Sequence, residues 1–154
     1  MSAKVKNPRK KFLYSINFIK HPINPYLCQK VTLPDIQVDE VAHGDINRDV
    51  KTAGRVTIGS LIVEKLLVTS GSDTWVWDWL FSCQDHLQGG GLVPSDYWET
   101  ISVNELAEDG KTVLNTWILS EVWPSKIEGL ELDRTASENT IEKIEFSVGT
   151  MDKY

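Results

Sequence analysis

The residues best able to do chemistry are histidines, cysteines and clustered carboxylates, and in this chain their spacing argues against it. His21, His43 and His86 are scattered, and neither Cys28 nor Cys83 neighbours one, so no zinc-ligand spacing exists. Asp45, Asn47 and Asp49 begin like a calcium loop. Such a loop needs glycine at its sixth position and glutamate at its twelfth. Val50 and Val56 stand there instead. Gly89-Gly90-Gly91 is followed by Leu92 rather than by a lysine and a hydroxyl residue, so it stops a helix and cradles no phosphate. Asp39 and Glu40 are neighbours, and neighbours on a strand point to opposite faces, so they share no acid–base site. No nucleophile elbow or activated cysteine is visible. The expectation is a protein without catalytic residues, metal or cofactor.

With 154 residues, 41% hydrophobic and 25% charged, the chain has the length and composition of one soluble globular domain spanning 1–154. No apolar run approaches the roughly 20 residues of a membrane span. Two cysteines define no framework. They read as buried free thiols, with a single bridge the alternative. The net charge is −6, although Lys4, Lys6, Arg9, Lys10 and Lys11 make a basic arm of residues 1–11. The body is therefore more acidic than the whole, which argues against a nucleic-acid-binding domain. The arm reads as a solvated terminus or as a docking arm for an acidic neighbour. It is no signal peptide, because Ser15 and Asn17 break its apolar stretch and no small-residue cleavage site follows.

The elements are mostly strands. Phe12, Tyr14, Ile16 and Phe18 alternate with their neighbours until Pro22 and Pro25. Val31 and Leu33 alternate, then Ile36 and Val38 resume on the other parity, which predicts one strand with a bulge at Pro34. Residues 42–59 carry Gly44, Gly54 and Gly59 with weak periodicity and predict a long inter-strand loop. Its Asp45, Arg48, Asp49, Lys51 and Arg55 suit polar pairing with a neighbouring subunit or ring. Leu61–Thr69 reads as a strand. Ser72 or Asp73 can cap a helix over roughly Asp73–Leu87. Its stripe of Trp75, Val76, Trp79, Leu80, Cys83 and Leu87 should face the sheets. Trp77 and Phe81 fall outside that stripe and predict a contact with another subunit or a terminal arm. Tyr97–Asn104 and Thr112–Trp123 flank the hairpin signal Asp109-Gly110. The second of these reads as a central strand ended by Pro124. A last strand covers residues 143–148. The fold class is mainly β: an antiparallel β-barrel or two packed sheets with one flanking α-helix.

Three passages carry a resemblance. One is the strand–loop–strand unit Lys30–Thr69. The second is Trp75-Val76-Trp77-Asp78-Trp79 after a Gly-Ser-Asp opening. The third is the run Trp117–Lys126, ending its strand on Trp123-Pro124, with Glu138-Asn139-Thr140-Ile141-Glu142 leading into the closing strand. In this order the chain, from about residue 12, resembles the tail tube proteins of contractile-tailed bacteriophages, which are related to the tubes of contractile injection systems. Where that family often has Pro-Gly before the second strand, this chain has Thr52-Ala53-Gly54. The arm 1–11 has no counterpart.

The resemblance implies a structural virion protein in the phage tail, made in the host cytoplasm. Homohexameric rings would stack into the inner tube through which DNA is delivered. Partners would be other copies of the chain, a sheath outside, tape-measure protein and DNA in the lumen, and baseplate and terminator proteins at the ends. The lumen would be lined by small polar and acidic residues. The polar strand faces offer Asp35, Gln37 and Asp39 together with Thr100, Ser102 and Asn104. The alternatives are the tube of a headless injection particle or type VI-like secretion system and, from another class, a monomeric ligand-binding β-barrel.

Overall fold

The computed structural model describes residues 8–20, 28–68 and 74–154. Most of the basic arm, Pro22 and Pro25, and the capping residues Ser72 and Asp73 lie outside them. Nine strands and two helices follow in the order β1 (Tyr14–Phe18), β2 (Cys28–Thr32), β3 (Ile36–Gly44), β4 (Asp49–Ile58), β5 (Leu61–Leu66), α1 (Thr74–Cys83), α2 (Pro94–Tyr97), β6 (Glu99–Leu106), β7 (Val113–Ile127), β8 (Ile141–Ser147) and β9 (Thr150–Lys153). Every pairing is antiparallel.

The long strand β7 organises the body. Its first part runs between β6 and β9, its last part beside β8. One layer is thus β1-β6-β7-β9 and the other β7-β8-β5-β2. The change of layer happens at Glu121, whose φ of 57° is left-handed. Gly149 lies against this bend and donates its N–H to the Ser120 carbonyl at 3.0 Å. A Cβ there would come 2.6 Å from the Glu121 Cβ, so only glycine lets the chain pass. β7 continues through Pro124, against expectation. A register shift between Pro124 and Lys126 marks a bulge, and bulges tolerate a missing N–H.

Alternation in the strands closes the core between the layers. Ile16, Ile101, Val103 and Leu119 from one layer meet Leu61, Val63, Ile144 and Phe146 from the other. Helix α1 lies over this seam. Its Trp79 ring sits 5.5 Å from Phe146 and 6.5 Å from Phe18, and its indole N–H donates to the Tyr97 carbonyl at 2.7 Å. The predicted stripe holds for Trp75, Val76, Trp79, Leu80 and Cys83. The helix ends at Cys83, however, and Leu87 is exposed. The Asp109-Gly110 turn forms as expected, with Gly110 at φ 72° and the Asp109 carboxylate accepting the N–H groups of Lys111 and Thr112.

Two expectations fail around Pro34. Residues 28–44 are not one bulged strand. β2 pairs with β5 in the body, whereas β3 leaves it after Pro34 and pairs only with β4. Nor are residues 42–59 a loop. They complete a hairpin whose only turn is 45–48, with Gly44 opposite Asp49. The bulge lies inside that hairpin, where Gly54 and Arg55 oppose Asp39. A Cβ at Gly54 would crowd Val41 at 3.0 Å and the Asp39 carbonyl at 3.1 Å. The hairpin is exposed on both faces, and residues 42–59 carry too weak an apolar–polar alternation to be read as strand.

Candidate functional site

Among the described residues no three of His, Cys, Asp and Glu are placed to hold a metal. Burial pushes the Cys28 thiol up to about 11 and raises that of Cys83, so neither supplies a thiolate at neutral pH. Both cysteines are free. Among the described residues no helix is long and apolar enough to cross a membrane. What the structure offers instead are surfaces.

The first is a pair of open sheet edges. Among the described residues β1 pairs only with β6, and β9 only with β7, so they are the two ends of one layer. Thr116 and Tyr154 exchange both N–H···O bonds, at 2.7 and 3.1 Å. The alternate residues Met151 and Lys153 therefore turn their backbone groups outward. On β1 the Leu13 carbonyl accepts from Leu106 and the Ile19 N–H donates to Thr100. Tyr14, Ile16 and Phe18 consequently aim their backbone groups away from β6. The buried Glu99 carboxylate fixes the end of this edge strand, accepting from the N–H groups of Ile19, Lys20 and Thr100 at 2.9–3.1 Å.

The outer face of the same layer is mostly small and polar, with Ile118 between Ser102 and Asp152 as its apolar member. Asn104 donates to the Ser15 hydroxyl at 3.2 Å and accepts from Thr116 at 2.8 Å, which makes a ladder across β1, β6 and β7. Thr100, Ser102 and Asn104 share this face of β6. Asn17, Ser120, Thr150 and Asp152 extend it on the neighbouring strands. Sequence reading missed the β9 members because a four-residue strand carries too little alternation to register. Asp35, Gln37 and Asp39 do not join this face. Asp35 closes the base of the hairpin by accepting the Gly59 N–H at 2.8 Å, Gln37 pairs with Thr57, and Asp39 sits in the bulge. The six candidate lining residues thus fall into two groups on separate sheets.

The second surface is the β3–β4 hairpin. Asp45 and Arg48 form its tip, where the Asp45 N–H donates to the Arg48 carbonyl at 2.8 Å and the Asp45 carboxylate accepts the Ile46 N–H at 2.8 Å. Asp49, Lys51 and Arg55 lie along β4, all exposed. Lys51 reaches Glu40 at 3.9 Å, an exposed pair worth little to stability. Ile36, Val38, Val41 and Val56 are each more than half exposed, and Ile46 at the tip is 94% exposed. That apolar exposure was not legible, because it depends on the hairpin leaving the body.

The third surface lies on the outer side of α1. Trp77 is 39% exposed and its ring stands 6.2 Å from Phe81. Phe81 is half-buried beneath His86 of the following loop, ring to ring at 4.8 Å. Leu87, Leu92 and Val93 in the segment after the helix are also exposed.

These surfaces can be set against known proteins. The sequence model of the family described as T4-like virus tail tube protein gp19 matches residues 10–152. A search of curated proteins by sequence returns no match. Among solved structures, a chain from the anti-feeding prophage cap, a tube-terminating cap, superposes with a TM-score of 0.81 at 16% identity, over 100% of this chain and 95% of that one. A chain from the PVC sheath/tube terminator, part of an extracellular contractile injection system, gives 0.79 at 17%, over 98% and 99%. One from the PVC sheath–tube complex gives 0.77 at 17%, over 97% and 93%. All three share the fold described above.

Proposed function

We infer that the chain, which belongs to the T4-like virus tail tube protein gp19 family, is the subunit of a hollow tube assembled from six-membered rings. It is a structural tail tube protein of the contractile injection class and not an enzyme. The observation that carries the finer reading is the family match over residues 10–152, and the open edges β1 and β9 support it. Unpaired strand edges are a liability in a lone subunit. A head-to-tail contact that closes on itself removes them, and stacking of the closed rings then gives a tube.

In this reading the polar face around Thr100, Ser102 and Asn104 lines the lumen. A lining of small hydroxyl and amide side chains with few cations neutralises no phosphates, so DNA slides without being held. Asp35, Gln37 and Asp39 add acid where the hairpin of one ring overlies the next. Asp45, Arg48, Asp49, Lys51 and Arg55 on the hairpin, and Trp77 and Phe81 on α1, make contacts between subunits. A sheath surrounds the tube, a tape-measure protein and then DNA occupy it, and baseplate and terminator proteins close its ends. The tube belongs to a phage tail, with subunits made in the host cytoplasm.

The fold shared with injection-system components favours a second reading, the tube of a headless particle. Capsid and terminase genes beside the coding sequence separate the two. The test of the shared core is negative-stain microscopy of the purified protein, which should give rings or tubes of uniform diameter without added cofactor. A monodisperse monomer at high concentration and physiological salt overturns it and would favour the more distant alternative, a monomeric ligand-binding β-barrel.

A further inference from the structure

The core face of the second layer ends in charge. Along β5 the side chains of Leu61, Val63 and Lys65 are buried in turn, and along β8 Phe146, Ile144 and Glu142 stand opposite them. The first two rungs belong to the apolar core. In the third, Lys65 faces Glu142, and each is only 2% exposed. Cys28 of β2 stands on the other side of Lys65 and is buried as well. Lysine and glutamate are almost never buried so deeply unless they are paired. The register sets these two directly across from each other on one face, where side chains interact.

Helix α1 closes over this rung. The Lys65 ammonium lies 5.1 Å from the centre of the Trp75 ring. Trp75 in turn stacks on Trp79 and meets Phe18 edge-on at 6.0 Å. A cation over an indole face is attractive, so the first turn of α1 rests partly on a buried charge. Among the described residues, the other titratable groups on this side are Cys28 and, from β1, Tyr14, whose hydroxyl donates to the Cys28 carbonyl. Burial pushes the titration of both upward, so neither is charged at neutral pH. Glu142 is the anion that faces Lys65. Glu64 and Lys143 lie opposite each other on the outer face of the same strands, and Asp78 of α1 is exposed. The other buried carboxylate, Glu99, is held by backbone N–H groups at the end of β1.

We propose that Lys65 and Glu142 form an acid-sensitive latch that holds the first turn of α1 on the second layer. While Glu142 is ionised, the two buried charges offset each other. When it takes a proton, the buried ammonium loses that counter-charge, and a charge in the interior without compensation is costly. The lysine side chain relieves the cost by swinging toward water. That takes the ammonium off the Trp75 ring and lifts the first turn. The latch is therefore closed while Glu142 is ionised and opens as the pH falls. Trp79, whose indole N–H donates to the Tyr97 carbonyl, keeps the later turns in place. The latch acts within one chain and does not depend on the tube reading.

The test places a thiol under the turn that should lift. Val76 is wholly buried, so a V76C thiol in a C28A, C83S background is reached only when the first turn of α1 leaves the body. Its labelling by 4,4′-dithiodipyridine is timed in the unassembled subunit from about pH 7 to about pH 4, a span that brackets the ordinary glutamate value. Each rate is divided by that of the urea-unfolded chain at the same pH. Labelling should speed up at least about tenfold toward acid, since breaking a buried pair is costly, while the far-UV circular dichroism of the strands stays constant. Adding E142Q should give the acid rate already at neutral pH, because glutamine has the shape of the protonated acid. Adding K65M with E142L puts apolar groups in place of both charges, which the site of a buried pair often tolerates, and should keep labelling slow at every pH. Glu99 is present throughout, so its own titration cancels. Should E142Q fail to fold, the parent against the K65M, E142L variant decides alone. Labelling that does not change with pH, or that changes equally in the K65M, E142L variant, overturns the latch.

Discussion

The body and the hairpin are built from the same aliphatic residues and treat them oppositely. In the body Val63, Val103 and Val122 are buried between two layers. In the hairpin Val38, Val41 and Val56 stand more than half exposed on strands of similar pairing quality. An isolated two-stranded ribbon is marginal in water, whereas a sandwich with a covered face is not. The difference teaches where each region draws its stability. The body buries its apolar residues between its own layers, and the hairpin leaves its apolar side chains exposed.

The comparison is sharpest at Phe146, which is fully buried against Trp79 and Phe18 at 5.5 and 5.9 Å. Phe146→Ala should cost the subunit about 3–5 kcal/mol, read as a lower urea midpoint, because the cavity it leaves is walled by rigid aromatics. Val38→Ala on the hairpin should stay within about 0.5 kcal/mol in the unassembled subunit. Equal losses at the two positions would break the comparison.

Next in size is the edge strand. Glu99→Ala removes a buried carboxylate that takes the N–H groups of Ile19, Lys20 and Thr100. The expected loss is about 2–3 kcal/mol, since hydrogen bonds to a charged group are the stronger kind and the donors are left to find water. Amide exchange should rise first at Ile19 and Lys20. Unaltered exchange at those amides would count against a role for Glu99 in holding the edge.

What could be read from the sequence follows the same division. Ile101 and Val103 alternate with Thr100, Ser102 and Asn104 because one face is covered and the other wet, and the strand and its polar face were both legible. The Trp75–Trp79 stripe was legible for the same reason. Ile36 and Val38 alternate and were read as strand, whereas in residues 42–59 both faces meet solvent, the periodicity is weak and the second half of a paired hairpin looked like a loop. Pro124 misled because a proline ends a regular strand yet is tolerated at a bulge, and the bulge between Pro124 and Lys126 is a matter of pairing register that the sequence does not display. Among the candidate contact residues, the charges at 45–55 were chosen by type. The exposure of Ile46 was not legible, since no tip exists until the chain has folded.

The outer side of α1 lies between the two regions in character, and so should its response. Trp77 is partly exposed and Phe81 leans on His86. The Trp77→Ala, Phe81→Ala double variant should lose only about 1–2 kcal/mol in the subunit, as Trp79 and Val76 on the other side keep the helix docked. Assembly measured by pelleting should need a much higher concentration. Unfolding of the subunit would place this pair with the body, and unchanged folding with unchanged pelleting would remove both roles.

The smallest effect on the subunit should come from the largest deletion. Replacing residues 38–56 by a short Gly-Ser turn keeps Ile58, the hairpin residue that packs against the core, and keeps the Asp35–Gly59 hydrogen bond that closes the base. Everything removed is exposed or paired only within the hairpin. The urea midpoint of the subunit should move by no more than about 1 kcal/mol equivalent, because no buried side chain of the body loses a neighbour. Rings closed through β1 and β9 do not use these residues, so rings should still form. Tubes should not, if the exposed Val38, Val41, Ile46 and Val56 are the surface that one ring offers the next, as the proposed function has it. Negative-stain images of single rings without tubes are the expected result. Normal tubes from this variant would sink the assignment of the hairpin to stacking, and an unfolded subunit would show that body and hairpin are one cooperative unit after all.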